Sequence, residues 1–297
     1  MALTTIDELG DTIDTIHEKA LYTRQFKAIM SNLCWPIRKG KGHTTINQPY
    51  FGEVTANALQ EKYDMIESQT LEDTNVQITP TEVGCKVILT DTAIEDDLEE
   101  LKSVAGKVLG EAYAKKEDID LLGQLDDGTT SLGGASTTLT MGHIAAARAN
   151  LQGNPTSSGG PAPDPYVMVH HPFTMLDIVD VITPVIPSTA AASAINSATP
   201  GAVADEFLRN YFTGRIFGIN CYEDGNLTIS SGDAKGGVFS SGKYGSIIHG
   251  IARDMQIEPQ RDASARAWEI NCVGRYGVGE YLAGWIVELY NDCSTPG

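Results

Sequence analysis

The sequence predicts an α+β protein, because segments with strand periodicity and segments with helix periodicity follow one another without a convincing internal repeat. The clearest strand pattern is NVQITPTEVGCKVILT, residues 75–90, where apolar and polar residues alternate. Its apolar face carries Val83, Cys85, Val87 and Leu89. The clearest helix pattern follows at once, with apolar residues at alternating spacings of three and four: Ile94, Leu98, Leu101, Ala105, Val108 and Ala112.

Composition and charge limit the function. With 297 residues, 41% of them hydrophobic, the chain has room for one large domain or two ordinary ones. A formal net charge of −18 disfavours a sequence-specific nucleic-acid binder, since this field repels phosphate. The start of the chain lacks a signal-peptide pattern and no run of about 18 apolar residues occurs, so we expect cytoplasmic synthesis and no membrane partner. The five dispersed cysteines are expected to be mostly buried free thiols.

The N-terminal segment resembles an arm more than a domain. Residues 5–30 are amphipathic and predict a helix, which the breaker CWPIRKGKG ends. The basic run RKGKGH, residues 38–43, is either a solvated loop or a docking site for an acidic neighbour. From residue 44 to residue 90 we predict a two-stranded ribbon with a polar tip. An isolated ribbon of this kind is marginal in water, so a partner surface is expected.

A long helix is expected over residues 93–126, after the strand-like segment. Thr92 and Glu95 have the spacing of a capping box, which satisfies free amides at a helix start. Acidic residues cluster in its first turns and lysines come later, which complements the helix dipole. Such a helix would be about 45 Å long at about 1.5 Å per residue.

The second half of the chain mixes helices, strands and loops. The expected elements, in order, are the helix MGHIAAARANLQ, the strand YVMVH, the short helix FTMLDIVDVI, a loop over residues 183–204, the helix ADEFLRNYFTG, the strand RIFGINCYE and several strands through WIVEL. The loop is rich in Ala, Ser, Thr and Pro and has little to bury.

YVMVHHPF, residues 166–173, is the strongest candidate for metal chemistry. An acidic cytoplasmic metallohydrolase would use His170, His171 and the nearby Asp164. Neighbouring residues of a strand point to opposite faces, however, so both histidines ligate one ion only where the strand has broken. Pro172 keeps His171 extended, which fits a strand-to-helix corner.

Other catalytic motifs are incomplete. GVFSSGKY, residues 237–244, is one residue from a phosphate-binding P-loop, but Tyr244 replaces the hydroxyl residue and an apolar, strand-like run follows. No GxSxG elbow occurs. We therefore predict that the protein is not an enzyme, with no catalytic residues, cofactor or metal.

The run TLEDTNVQITPTEVGCKVILTDTAIEDDLEELKSVAGKVLGEAYAKKEDIDLL resembles the major capsid (coat) proteins of tailed bacteriophages, in the subgroup related to the phage N4 coat protein. The matching features are Val83-Gly84, Leu89-Thr90-Asp91, Ala93 and the phrase from Asp118 to Leu122. Further on, YVMVHHPFTMLDI resembles the strand-to-helix step of that family, and GIARDMQIEPQRD with CVGRYGVGEYLAGWIVEL resembles its closing strands. The order of these phrases, from about residue 44 onward, makes the resemblance specific.

The resemblance implies the HK97-type capsid fold, with an N-terminal arm, an extended β-loop, a long spine helix, and peripheral and axial domains. The implied division is residues 1–43 for the arm, 44–90 for the extended loop, 91–135 with 250–297 for the peripheral domain, and 136–249 for the axial domain. Subunits would assemble with copies of themselves into pentamers and hexamers of an icosahedral shell around double-stranded DNA. The expected location is the virion capsid, assembled in the host cytoplasm.

The same resemblance suggests the partners and the contact residues. Scaffolding, portal and decoration proteins are candidate partners, and packaged double-stranded DNA would be contacted non-specifically. Candidate inter-subunit contact residues are Arg38, Lys39, Lys41, Tyr50, Tyr63, Glu67 and Glu72. Besides the metallohydrolase, two alternatives stay open: a cellular encapsulating shell of the same fold and a host-binding surface module of a virion.

Overall fold

The computed structural model describes residues 27–54, 71, 73–96, 101–155, 159–182 and 215–296. The predicted helix over 5–30 lies almost entirely outside this part of the chain, and so do the predicted loop over 183–204 and the helix that follows it.

Helices and strands are distributed along the whole described chain, as an α+β fold requires. The helices are α1 (Met30–Leu33), α2 (Asp91–Asp96), α3 (Leu101–Gly123), α4 (Met141–Gln152) and α5 (Pro172–Ile182), with a 3-10 turn at Ala283–Trp285. The strands are β1 (Trp35–Arg38), β2 (Ile46–Phe51), β3 (Asp73–Ile78), β4 (Thr81–Thr90), β5 (Thr130–Gly133), β6 (Tyr166–His170), β7 (Arg215–Ile216), β8 (Ile219–Glu223), β9 (Ile229–Ser230), β10 (Asp233–Ser240), β11 (Ile247–Asp262), β12 (Ala267–Glu280) and β13 (Ile286–Asp292).

A four-stranded sheet has the order β1-β11-β12-β4, with β1 parallel to β11 and the other pairs antiparallel. Helix α3 packs across β12, β4 and β11. The buried residues beneath it form the α3 cluster: Leu89, Ala105, Leu109, Tyr113, Ile270, Cys272 and Tyr276. The face of β4 that the sequence predicts to be apolar is the face that packs under this helix.

A second sheet of seven strands has the order β5-β13-β10-β6-β8-β7, and β9 pairs with β10. All five residues of its central strand β6 are buried. Met168 belongs to the core that also contains α4 and α5, whereas Val167 and Val169 belong to the core with α1 and the end of α3. Because successive residues of a strand point to opposite faces, β6 is covered on both sides and reads as one apolar run.

The long helix runs from one core to the other. Its first part contributes Ala105, Leu109 and Tyr113 to the α3 cluster, and its last turns contribute Leu121 and Leu122 to the core beneath the seven-stranded sheet. At about 1.5 Å per residue, α3 is about 35 Å long. The helix ends at Gly123, three residues before the predicted end, and backbone hydrogen bonds continue as turns to Asp127.

The predicted extended loop, residues 44–90, is too long for the ribbon. In the structure the ribbon consists of β2 and β3, which pair antiparallel from Ile46↔Ile78 to Phe51↔Asp73. Strand β4 leaves the ribbon and pairs with β12 instead, from Thr81↔Tyr276 to Thr90↔Ala267. One face of β4 packs under α3, which explains the regular alternation of apolar and polar residues. A ribbon strand and a strand at a sheet edge both show such alternation, so the pattern does not distinguish them.

The predicted division into peripheral and axial domains also differs from the strand pairing. Strands β5 and β13 fall in the ranges assigned to the peripheral domain, but β13 pairs with β10 and β5 pairs with β13. Both strands therefore belong to the sheet that contains β6 and β8. Sequence periodicity identifies strands but does not report which distant strand each one pairs with.

Candidate assembly surfaces

The ribbon is anchored at its base. Ile46 and Ile78 are buried there with Trp35 and Ile248. A Cβ atom placed on Gly277 would lie 2.8 Å from Ile78 Cγ2, which is closer than real side-chain contacts allow. The absence of a side chain at Gly277 therefore lets the ribbon base seat on the start of the β11–β12 hairpin.

The described part of the ribbon ends in exposed apolar residues, whereas the polar tip that the sequence predicts lies almost entirely outside the described residues. The exposed fractions are 64% for Phe51, 54% for Val54 and 60% for Leu71. Within the described residues, β2 and β3 pair only with each other, so both outer edges of the ribbon carry free backbone groups. A two-stranded ribbon is marginal in water and free strand edges pair readily with another chain, so this surface is suited to a partner.

Aromatic side chains hold the second half of β2 against the rest of the chain. The ring of Tyr50 lies edge-on to Tyr281 at 5.9 Å between centroids, and Tyr281 lies edge-on to Trp35 at 5.6 Å. Tyr281 also donates a hydrogen bond from Oη to the Pro49 carbonyl at 3.2 Å. Tyr50, one of the candidate contact residues, therefore packs at least partly on its own chain.

The basic run also has partners within the chain. Arg38 donates two hydrogen bonds to the carboxylate of Asp254, at 2.8 and 3.1 Å, and this interaction lowers the pKa of Asp254. The Lys39 backbone amide donates to the Ile251 carbonyl, and Lys41 lies exposed in the following turn. The guanidinium of Arg38 thus has a partner within the chain, although its side chain is 70% exposed. The other contact candidates, Tyr63, Glu67 and Glu72, lie outside the described residues.

The far half of β11 forms a second exposed edge. Pairing with β1 ends at Ile251, and from Arg253 to Asp262 the described structure pairs this strand on one side only, with β12. Met255 and Ile257 are each 43% exposed along it. Sequence reasoning missed this surface, although Pro259 was a usable signal because proline within a sheet is confined mainly to edge strands.

The two adjacent histidines lie at a structural corner. His170 is fully buried at the end of β6, and its Nδ1 accepts a hydrogen bond from the His171 amide at 2.9 Å. Nδ1 of His171 accepts in turn from the Phe173 amide at the start of α5. Burial lowers the pKa of His170 to about 3 and lowers the pKa of His171 as well. Two neutral imidazoles therefore stabilise the strand-to-helix step.

The geometry around these histidines does not resemble a metal site. Asp164, the third residue of the metallohydrolase alternative, is exposed, whereas both histidines are buried. Within the described parts of the chain, no group of three or more His, Cys, Asp or Glu side chains could hold a metal ion. Nor does any helix in those parts have the length and apolar character needed to cross a membrane.

The P-loop-like segment is a turn between two strands. Its first residues belong to β10, Gly242 and Tyr244 have positive φ angles of 86° and 65°, and β11 begins at Ile247. A phosphate-binding loop needs a helix N-terminus at this point. The segment lacks that element, and a strand follows, as the sequence predicts.

Comparison with known proteins identifies the architecture. A solved structure from Mycobacterium phage Che8 superposes with a TM-score of 0.70 at 16% identity, covering 93% of this chain and 96% of that one. The capsid of cyanophage P-SCSP1u gives 0.66 at 14% identity with 99% and 96% covered, and the capsid of Ralstonia phage GP4 gives 0.68 at 11% identity with 99% of each chain covered. No curated protein sequence matches significantly. The protein therefore has the HK97-like fold of phage shell subunits.

Residues 75–287 match the family described as phage capsid protein. Since this match covers more than half of the chain, the protein belongs to that family and is a structural major capsid protein. The resemblance drawn from the sequence to tailed-phage coat proteins is confirmed at the level of family and fold, while the relation to the phage N4 subgroup stays a prediction.

Proposed function

We propose that copies of this subunit form the pentamers and hexamers of a closed icosahedral shell that encloses double-stranded DNA. The observation that carries the proposal is the ribbon, which exposes Phe51, Val54 and Leu71 and leaves both strand edges unpaired in the described structure. A marginal ribbon with exposed apolar side chains is more stable when a neighbouring subunit covers them.

The free edge of β11 supports the same proposal. Its exposed backbone groups and the side chains of Met255 and Ile257 offer hydrogen bonds and apolar contact to an extended segment. We propose that this edge and the ribbon are both covered by neighbouring subunits in the shell. Lys41 would contribute to such contacts more than Arg38, which already pairs with Asp254.

The charge of the subunit favours weak contact with the genome. A net charge of −18 repels phosphate, so DNA would spool inside the shell without the counterion release that holds it to a basic surface. Assembly in the host cytoplasm, together with scaffolding, portal and decoration proteins, completes the proposal.

Electron microscopy of the expressed full-length protein tests the proposal. We expect closed particles of uniform diameter from the wild type, with nucleic acid as the contents in infected cells. Particles that contain a defined protein cargo would favour the cellular encapsulating shell, and a monodisperse monomer at high concentration would contradict the assembly proposal. Trimers or fibres without shells would favour the host-binding module.

Substitutions at the two exposed surfaces sharpen this test. Phe51→Asp and Ile257→Asp place a charge at the end of β2 and on the free edge of β11. Each is expected to reduce particle yield while leaving the thermal stability of the subunit within a few degrees of the wild type. Phe217→Asp is a matched control: this phenylalanine is similarly exposed, at 45%, in the turn between β7 and β8. Equal loss of particles in all three variants would contradict the assigned surfaces.

A further inference from the structure

Two cysteines lie opposite each other on neighbouring strands of the four-stranded sheet. Cys85 of β4 and Cys272 of β12 occupy directly opposite positions in the antiparallel register. Such residues point to the same face, with Cα atoms about 4.5–5.5 Å apart. A disulfide spans Cα atoms about 4.4–6.8 Å apart, so the backbone already has the separation that a covalent bridge needs.

Both sulfur atoms point toward α3. The Cys85 thiol donates a weak hydrogen bond to the Leu109 carbonyl of this helix, with 3.6 Å between Sγ and O. Cys272 belongs to the α3 cluster, Cys85 packs against the same cluster, and each thiol contributes to the shift in the pKa of the other. The two thiols therefore lie side by side on one face of the sheet, although they are far apart in sequence.

The two thiols differ in accessibility. Cys272 is fully buried, whereas Cys85 is half-buried. All five cysteines are free, and the other three are buried in the two cores of the seven-stranded sheet: Cys34, Cys221 and Cys293. A dissolved reagent can therefore reach Cys85 first, and Cys272 lies in the position of a resolving thiol.

We propose that Cys85 and Cys272 form an intrachain disulfide when the folded protein meets a low-molecular-weight disulfide, as it does outside a reducing cytoplasm. The Cys85 thiolate attacks one sulfur of the reagent, forms a mixed disulfide and releases one thiolate. The Cys272 thiolate then attacks the Cys85 sulfur and releases the second. The two protein thiols lose their protons, the reagent is reduced to two thiols, and the protein is oxidised by two electrons.

The bond would hold the strand that carries the ribbon. Strand β4 follows β3 after two residues, so a tension applied to the ribbon passes directly into β4. A bridge between β4 and β12 would resist the shear of these strands. The step occurs within one subunit and does not depend on assembly, so its failure and the failure of the proposed function are distinguishable.

Oxidised glutathione is the test reagent. Native unassembled protein is incubated with it in mildly alkaline buffer, because burial raises the pKa of both thiols and slows exchange at neutral pH. Remaining thiols are then alkylated, and the tryptic digest is analysed by mass spectrometry without reduction. Trypsin separates the two cysteines into residues 63–86 and 267–275, and we expect these peptides joined, with two hydrogen atoms fewer than their sum.

The same chain unfolded in urea is the main control. At a fixed ratio of reduced to oxidised glutathione, the native protein is expected to hold at least about tenfold more of the 85–272 bridge than the unfolded protein, because only the fold brings the thiols together. Cys272→Ser should abolish the joined peptides and Cys221→Ser should keep them. Equal yields from native and unfolded chains, or bridges spread over all five cysteines in the native protein, would overturn the proposal, and this comparison does not depend on any variant folding.

Discussion

A buried carboxylate joins three separate segments of the molecule. Oδ1 of Asp118, on α3, accepts hydrogen bonds from the backbone amides of Ile29 at 3.0 Å and Met30 at 2.9 Å. Its Oδ2 accepts from Nδ2 of Asn226 at 2.9 Å, in the turn after β8. Charge-assisted hydrogen bonds of this kind are stronger than neutral ones. Asp118 therefore fixes the start of α1 against the long helix.

Asp224 lies in the same cluster and needs a proton. Its Oδ1 accepts from the Asn226 amide at 2.8 Å, while no donor in the described residues reaches its buried Oδ2. Oδ2 can bond to the neighbouring Asp118 carboxylate only as a protonated O–H group. Burial, and then this contact with Asp118, raises the pKa of Asp224 to about 8.

The Asp224 carboxyl gives the fold a pH dependence. Its pKa is higher in the folded state than in the unfolded chain, so the folded state binds more protons and loses stability as pH rises toward about 8. We predict that Asp224→Asn flattens this slope, since the amide can still donate to Asp118 and accept from Asn226. Urea midpoints measured from about pH 5 to about pH 9 test this. Glu258→Gln, which changes an exposed carboxyl, should keep the slope, and an unchanged slope in Asp224→Asn would contradict the assignment.

Two glycines give opposite predictions for the same substitution. At Gly277 a Cβ would lie 2.8 Å from Ile78 Cγ2 and 3.1 Å from the Pro80 backbone, so Gly277→Ala overpacks the ribbon base and should destabilise the fold by about 1–3 kcal/mol. At Gly106, within α3, a Cβ meets nothing within 4 Å, so Gly106→Ala should stabilise by about 0.5–1 kcal/mol. Equilibrium unfolding in urea distinguishes them. An unchanged free energy of unfolding in Gly277→Ala would show that the ribbon base can shift to make room for the added methyl group.

The long helix and the strand before it were predictable because each has one apolar face with a regular period. The α4 helix was predictable for the same reason and begins with a capping box, in which the Thr140 hydroxyl accepts from the His143 amide and Nδ1 of His143 accepts from the Thr140 amide. The end of the ribbon and the partners of β13 were not predictable. These features depend on contacts between residues distant in sequence, which leave no local pattern.

The candidate contact surfaces also depend on contacts that the sequence pattern does not report. The structure has a two-stranded ribbon that begins at Ile46, yet the candidate contacts Arg38 and Tyr50 have intramolecular partners. Their polarity gave no indication of this. The exposed apolar residues at the end of the described ribbon and along β11 were missed, because in a strand pattern an exposed Phe51 or Ile257 cannot be told from a buried one.

Helix α3 packs its apolar face against the four-stranded sheet. Leu109 is buried in the α3 cluster beside Cys272 and Ile270. We predict that Leu109→Ala lowers the free energy of unfolding by about 2–5 kcal/mol, since the cavity cannot close between a helix and a sheet. Lys107→Ala, at an exposed position of the same helix, should change it by less than about 0.5 kcal/mol. A small effect at Leu109, measured by urea unfolding, would mean that the helix is held elsewhere.

At the scale of the whole molecule, charge opposes assembly. Every subunit carries a formal net charge of −18, so bringing subunits together concentrates negative charge in the shell. The exposed apolar surfaces of the ribbon and of β11 must supply enough contact to exceed this repulsion. Dissolved salt weakens repulsion between exposed charges over a distance of about 10 Å at 0.1 M, and has much less effect on apolar contact.

We therefore predict that assembly of purified subunits increases as the salt concentration rises from about 0.02 M to about 0.3 M, because the screening length shortens over this range and the repulsion between subunits weakens. Light scattering measures the assembly. A variant with Glu95→Gln and Glu258→Gln, which removes two exposed acids, should reach half-assembly at a lower salt concentration. Lys107→Gln, which makes the subunit more acidic at an exposed position away from the proposed contacts, should need more salt. Assembly that weakens steadily with added salt would instead show that attraction between opposite charges, and not apolar contact, holds neighbouring subunits together.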